Sequence, residues 1–308
     1  MTCLSIKGLP WPNDRYRPDL HSRDFESAEQ ATAEDAYRAK SLRKLVCKCR
    51  SRAVSAGKRR AARSLRRAKR LEALADRLDP ALSPHSPQSL ASSRFMRDLR
   101  VRVIGSVWKL VDEDQTGRLR RYDLAKPSWL VACRQFREET ASRYTAKLRQ
   151  DLLRAARSIG KRSVADCDGF LIAFLHGEHI QYADESEALH PHFHAVATGD
   201  WIDVVETMRG QRGYKRRGRK DPPPIRARRE IDDLPYALSY LLKGYWPGKW
   251  RGEVSGVGTQ RRSRKHFRIP EPHHSNLLLW LDHFEPADLI LMMGVRLSRN
   301  GFTRTKNT

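Results

Sequence analysis

The residues with the most evident chemistry lie in the segment His190-Pro191-His192-Phe193-His194. In a β-strand alternate side chains share one face, so His192 and His194 would point the same way and Phe193 the opposite way, into the core. Two imidazoles on one face form half of a site for a divalent cation. The segment therefore indicates either a metal site or an ordinary, half-exposed strand face.

A second motif follows at Tyr236, Tyr240 and Lys243. In an α-helix, side chains three and four positions apart share a face, so these three would form one stripe. An ammonium group beside a phenol favours the charged form of the tyrosine, and a tyrosinate can act as a nucleophile toward phosphorus. The simpler interpretation is a helix whose tyrosines pack in the core and whose lysine is solvated.

Together the two motifs predict a single reaction. A metal ion held by two histidines can polarise an oxygen of a phosphodiester, and a tyrosine on a nearby helix can then attack in line. The products would be a phosphotyrosyl link to one DNA end and a free hydroxyl on the other. Rejoining would need no ATP, because the phosphotyrosyl bond conserves the energy of the broken bond.

The histidine motif resembles that of the HUH endonucleases, a superfamily named for His-hydrophobic-His, which is His192-Phe193-His194 in this chain. The spacing from Tyr236 to Lys243 is similar to the tyrosine motif of the rolling-circle replication initiators (the Rep type), which also follows the histidines. In the relaxases of this superfamily the tyrosine precedes the histidines. Two-tyrosine HUH transposases share the order found here, although only Cys47-Lys48-Cys49 corresponds to their N-terminal zinc module.

The resemblance implies a fold and a function. The expected fold is α+β, with an HUH-type domain whose central antiparallel sheet, a βαββαβ-like core, is flanked by helices. The expected function is that of a metal-dependent single-strand DNA endonuclease and strand transferase, which nicks a plasmid or phage origin and leaves a 3′ hydroxyl for rolling-circle replication. Its partners would be single-stranded or hairpin DNA, a host helicase and a polymerase. The upstream initiator motif Phe-Leu-Thr-Leu-Thr is matched only by residues 170–174, without the threonines, so the transposase stays an alternative.

The resemblance also implies a metal site. His192 and His194 would bind Mg²⁺ or Mn²⁺, and family members often add a third polar ligand. Glu178 is expected to be that ligand, because it leaves the neighbouring strand near the histidines. His190, which shares their face of the strand, is its rival.

The resemblance also implies roles for the residues of the tyrosine motif. Tyr240 would be the first nucleophile, because Lys243 follows three residues later and would orient the phosphate or the tyrosinate. Tyr236 would be either the second nucleophile, as in two-tyrosine members, or a packing residue.

Basic residues lie between and after these motifs. Residues 209–229 hold ten lysines and arginines against one aspartate, which suits contacts with phosphates. Trp246 and Lys249 follow the tyrosine motif, and an aromatic ring beside cations suits stacking on single-stranded bases, although the tryptophan could instead close the core. The residues expected to bind DNA are Arg212, Lys215, Arg216, Arg217, Arg219, Lys220, Trp246 and Lys249.

The composition limits the class of protein. The chain has 308 residues, 60 Lys and Arg, 36 Asp and Glu and a formal net charge of +24. Such an excess of positive charge is typical of proteins that bind nucleic acid, so a basic DNA- or RNA-binding protein without catalysis is the rival interpretation.

No apolar run in the sequence is long enough to cross a membrane. The start of the chain lacks a secretory signal pattern and the five cysteines form no disulfide framework, so a cytoplasmic location is expected.

The elements that would position the motifs follow from hydrophobic spacing. Strands are predicted at 169–175 and 190–198, and helices at 139–159 and from Pro235 to about Tyr245. Residues 38–70 contain fifteen Lys and Arg and no acid, and Gly57 is their only strong breaker. This segment predicts a basic helical arm that tracks phosphates, or a solvated tail that folds only on binding.

Three regions are expected along the chain. Residues 1–90 would form a basic, helical and partly disordered N-terminal extension, and prolines and serines mark its end. Residues 91–255 would form the HUH-type nicking domain. Residues 256–308 would add a C-terminal helix and strand.

Overall fold

The computed structural model describes residues 9–19, 26–133, 135–136, 139–182, 184–215, 223–228, 231, 234–243, 246–251 and 267–305. These residues form an α+β fold with a mostly antiparallel sheet, which confirms the α+β part of the predicted fold class. The chain divides into two compact units. The sheet unit comprises Met1–Pro18, Arg100–Ile269 and Pro286–Thr308, and the helical unit comprises Asp19–Leu99 and Pro270–Glu285. The predicted boundaries at residues 90 and 255 do not match this division. The helical unit combines Asp19–Leu99 with Pro270–Glu285.

The sheet unit is built on a seven-stranded sheet. Its strands are β1 (Leu119–Leu124), β2 (Val131–Ala132), β3 (Leu171–Tyr182), β4 (Glu187–Thr198), β5 (Ile225–Arg228), β6 (Gly248–Arg251) and β7 (Ile290–Met293). The main order is β5-β1-β4-β3-β6, while β2 pairs with β4 and β7 pairs with β3. Every pair is antiparallel except β3 with β6. Strands β8 (Val295–Ser298) and β9 (Gly301–Arg304) form a separate hairpin.

The central hairpin of β3 and β4 is held by aromatic packing on one face of the sheet. Helix α4 (Ala141–Ser158) buries Tyr144 and three further apolar residues at helical spacing, as the sequence predicts. Trp129 lies between this helix and the sheet, because its ring contacts both Tyr144 and Phe193 at centroid distances of 6.1 and 5.5 Å. Phe193 therefore points into the core, as predicted, and its neighbours His192 and His194 take the opposite face.

The helical unit contains a long helical hairpin. Helix α1 (Ala28–Val54) begins with a capping box, in which Ser27 and Gln30 each accept a hydrogen bond from the other's backbone N–H. Helix α2 (Lys58–Leu78) begins after Gly57, so the predicted break of the basic segment at this glycine is confirmed. Helix α3 (Ser93–Asp112) contributes its first residues to this unit, and α7 (His273–Leu281) completes it.

Two predicted elements have the wrong length. The strand predicted at 169–175 continues as β3 to Tyr182, because pairing with β4 and β6 carries it past the end of its apolar run. The helix predicted from Pro235 to about Tyr245 is a single turn, α6 (Tyr236–Ser239), and Tyr240 is its C-terminal cap. Helix α5 (Asp200–Met208) follows β4 directly. Within the described ranges, no helix is both long and apolar enough to cross a membrane.

Trp246 packs against a glycine of β3, and this contact yields a test of the fold. A Cβ atom at Gly177 would lie well inside van der Waals contact with the Trp246 ring. We expect Gly177→Ala to lower the free energy of unfolding by about 1–3 kcal/mol, because the ring must move within a packed core. Gly210→Ala is the control, since its Cβ would meet only the Thr207 carbonyl oxygen, at 3.4 Å. Equal midpoints for both variants in urea unfolding would contradict the tight packing.

Candidate active site

A cluster of three histidines forms on the face of the sheet opposite Phe193. The pairing of β3 with β4 places His176 opposite His192, and His194 is two residues further along β4. Each of the three histidines offers one ring nitrogen, and these nitrogens all lie within 4.8 Å of one another. His176 and His194 are buried and His192 is half-buried. The cluster could therefore hold a metal ion.

The neighbours of two of these rings suit the binding of a cation. His192 Nδ1 lies 3.1 Å from the carbonyl oxygen of His190, and His194 Nδ1 lies 3.2 Å from Asp123 Oδ1. Both neighbours are oxygen atoms, so with the proton on Nδ1 each ring would present the lone pair of its Nε2. The two Nε2 atoms are 3.1 Å apart. In that tautomer a shared cation would accept both lone pairs as ligand bonds.

Burial keeps these imidazoles neutral. Desolvation lowers the pKa of His194 to about 4, against the opposing effect of the Asp123 carboxylate. Desolvation also lowers the pKa of His192. Both rings are therefore uncharged at neutral pH, which is the form that binds a metal.

Tyr240 lies directly beside the cluster. The centroid of its ring is 4.6 Å from that of His194. Lys243 Nζ lies 3.8 Å and Arg121 Cζ 4.6 Å from the centroid of the Tyr240 ring, so two cations contact this tyrosine. Arg121, on β1, also donates a hydrogen bond of 3.1 Å from Nη1 to the carbonyl oxygen of Ala237 in α6. This bond ties the short helix that ends at Tyr240 to the sheet that carries the histidines.

The predicted tyrosine motif is thus brought to the predicted histidines, but not by a continuous helix. Tyr240 and Lys243 meet across the turn that follows α6, whereas the sequence analysis places them on one helical stripe. Tyr236 is the first residue of α6 and is half-buried. The ring contact with the histidines is made by Tyr240.

The third member of the cluster is His176, which corrects the expectation for Glu178. The Glu178 carboxylate forms an ion pair with Lys249, and its Oε1 lies 4.0 Å from His190 Nδ1. Neither Glu178 nor His190 belongs to the cluster. His176 was not predicted as a ligand because the strand expected from the apolar run stops at Leu175. A strand longer by one residue would have placed this histidine in the ladder opposite β4.

The residues expected to bind DNA divide into four groups. Arg212 and Lys215 are exposed beside a short 3₁₀ turn, and Lys249 is paired with Glu178. Trp246 is 8% exposed and its ring packs near His176, at 5.7 Å, and Phe136, at 6.0 Å. This burial favours the alternative in which the tryptophan closes the core, because little of the ring is exposed to a base. Arg216, Arg217, Arg219 and Lys220 lie outside the described residues.

The cluster predicts which substitutions weaken metal binding. We expect His176→Ala to reduce the affinity for Mn²⁺ and Zn²⁺ by at least about tenfold, because it removes one of three nitrogen ligands. Glu178→Gln, the matched control on the same strand, should change the affinity by less than about threefold. Titration calorimetry of the metal-free protein measures both. The reverse order would restore Glu178 as the third ligand.

The Asp123 carboxylate predicts an effect on metal affinity through the orientation of His194 alone. Asp123→Asn keeps the size of the side chain but can present its amide nitrogen to His194 Nδ1, which favours the wrong tautomer of the ring. We expect a loss of about 10–100-fold in metal affinity, the usual cost of removing the partner of a metal-binding histidine. Asp203→Asn, which alters an exposed carboxylate bound to Arg118, should leave metal affinity unchanged. Unchanged affinity in Asp123→Asn would show that His194 is oriented without this carboxylate.

Comparison of the chain with known protein families, with curated proteins and with solved structures gives no match. We therefore argue its function from the histidine cluster and from Tyr240.

Proposed function

We propose that this chain is a metal-dependent DNA-nicking enzyme of the HUH type that cleaves one strand with Tyr240 as the nucleophile. The observation that carries the proposal is the contact between the Tyr240 ring and His194, 4.6 Å between centroids, in a cluster of three histidines. A tyrosine beside three imidazoles joins a nucleophile to a candidate metal site, the two parts that phosphodiester cleavage needs.

His176, His192 and His194 would hold the metal ion. Bound there, the ion would supply Lewis-acid polarisation of a phosphodiester oxygen. Asp123 fixes the tautomer of His194 so that its Nε2 faces the other ligands. The donor set bears on which metal is bound, because imidazole nitrogens suit transition metals and Mg²⁺ prefers oxygen ligands. Of the two expected ions, Mn²⁺ therefore fits this site better than Mg²⁺.

Tyr240 would attack phosphorus through its phenolic oxygen. One phosphorus–oxygen bond breaks as the new one forms, so the strand ends as a phosphotyrosyl link on one side and a 3′ hydroxyl on the other. The ammonium of Lys243 and the guanidinium of Arg121 contact the Tyr240 ring. Positive charge there attracts the phosphate and stabilises the negative charge that develops during attack.

The biological setting we propose is replication initiation at a plasmid or phage origin. The net charge of +24 suits a polyanionic partner, and a free 3′ hydroxyl suits the priming of rolling-circle synthesis. The partners would be single-stranded or hairpin DNA, together with a host helicase and polymerase. A two-tyrosine transposase shares the chemistry, and it would use Tyr236 as well as Tyr240.

A covalent adduct tests the proposal. The full chain is incubated with labelled single-stranded hairpin oligonucleotides and Mn²⁺, and a denaturing gel is run. We expect a labelled band at protein mass that Tyr240→Phe abolishes, because the nucleophilic oxygen is lost while the ring is kept. The double variant His176→Ala, His194→Ala and the addition of EDTA should abolish the same band. Tyr236→Phe, the matched control, should retain it.

The other outcomes of this experiment separate the alternatives. A band that is lost only when both tyrosines are replaced indicates a two-tyrosine mechanism. If no band forms with any oligonucleotide while the DNA is still shifted on a native gel, the chain is a binding protein and the nicking proposal fails.

A further inference from the structure

Helix α2 carries a row of arginines along one exposed face. Arg59, Arg63, Arg66 and Arg70 are separated by four, three and four positions, the spacing that keeps side chains on one face of a helix. All four are exposed, and they span about 16 Å of helix axis at 1.5 Å per residue. Leu71, Leu74 and Leu78, in the C-terminal half of the same helix, are fully buried.

Helix α1 carries a second row. Lys40, Lys44, Lys48 and Arg52 recur every four residues, and all four are exposed. This row spans about 18 Å of axis. Leu42 and Val46 of the same helix are buried, and the two helices pack against each other. The two rows, which we call the α2 row and the α1 row, are therefore held on one packed scaffold.

The acidic side chains of the helical unit neutralise other cations. Arg43 pairs with Asp76 and Asp79, and Arg50 pairs with Glu72. In the same way, Glu34 pairs with Arg38 and Asp282 with Arg77. Within the described part of the chain, no acidic side chain forms an ion pair with a member of either row. Eight positive charges thus remain available to an outside anion.

The chemistry of the rows selects the kind of anion. Helix α2 has no aromatic residue, and Tyr37 is the single aromatic residue of α1, so the two rows offer charge with at most one stacking surface for unpaired bases. The apolar face of the hairpin is buried in the protein core, so it cannot enter a lipid surface as a membrane-bound amphipathic helix does. A DNA strand presents one phosphate per 3.4 Å of duplex, and a row of about 16 Å therefore faces about five of them.

We propose that the α1–α2 hairpin is a docking surface for the phosphate backbone of double-stranded DNA. Because its cations sit on packed helices, binding orders side chains and not a whole segment, which lowers its entropic cost. Contacts of this kind fix position on the duplex and carry no sequence information. This surface includes neither Tyr240 nor the histidine cluster. A failure of the nicking proposal would therefore not refute DNA docking on the hairpin.

The test compares two full-length variants that lose the same charge. In the first, the four arginines of the α2 row are replaced by glutamine, which keeps the helix propensity. The matched control replaces four exposed arginines of α4 by glutamine: Arg143, Arg149, Arg154 and Arg157. Binding of a labelled 20-base-pair DNA duplex is measured by fluorescence anisotropy over a series of salt concentrations. Circular dichroism and thermal unfolding show that each variant is folded.

We expect the α2-row variant to bind the duplex at least about tenfold more weakly. The slope of log affinity against log salt should fall by about 3.6 if all four arginines contact phosphates, since each lost contact removes about 0.9. The control should lose less than about one unit of slope. Adduct formation on the single-stranded hairpin should be the same in both variants.

Three results would overturn the proposal. Equal losses in the α2-row variant and its control would show only an effect of net charge. A loss confined to duplex RNA, or to vesicles of phosphatidylserine, would assign the surface to another partner. If the α2-row variant does not fold, glutamines at the four positions of the α1 row replace it, and unchanged binding in that folded variant refutes docking on the hairpin.

Discussion

The register between β3 and β4 is the constraint on which the candidate site depends. Side chains alternate along a strand, so a slip of one residue would move His192 to the other face and bring Phe193 among the ligands. The packing of Phe193 against Trp129 opposes such a slip, because it would take a large aromatic ring out of the core. The same apolar contacts that stabilise the sheet therefore align His176 with His192.

Electrostatics then divides the site into two halves. On one side, a carboxylate oxygen and a carbonyl oxygen lie next to the Nδ1 atoms of His194 and His192, and the two Nε2 atoms lie 3.1 Å apart. On the other side, Arg121 and Lys243 contact the ring of Tyr240. Nitrogen atoms that could bind a cation thus lie next to two cationic side chains, which suit an anion.

Local patterns in the sequence predicted the parts of the site that follow from one strand or one turn. Alternation along β4 gave the common face of His192 and His194, and the short spacing of Tyr240 and Lys243 gave their proximity. The end of β3 was misjudged because apolarity stops at Leu175, whereas pairing with β4 continues to Gln181. Glu178 lies on the expected strand, but Lys249 of β6 binds its carboxylate. Neither tertiary contact leaves a periodic signal in the sequence.

The charge of the basic helices shows why composition alone leaves two interpretations open. Residues 38–70 would repel one another in any compact state, so their excess charge is equally compatible with a solvated tail. Packing of the two helices, with buried leucines between them, shows that these residues form an ordered hairpin.

The acidic residues of this unit pair with other arginines, so among the described residues neither the α1 row nor the α2 row has an acidic partner. If charge in this unit served stability alone, acidic residues beside the rows would lower the repulsion, and the sequence places none from Arg38 to Arg70. The uncompensated charge therefore points to an anionic partner outside the chain.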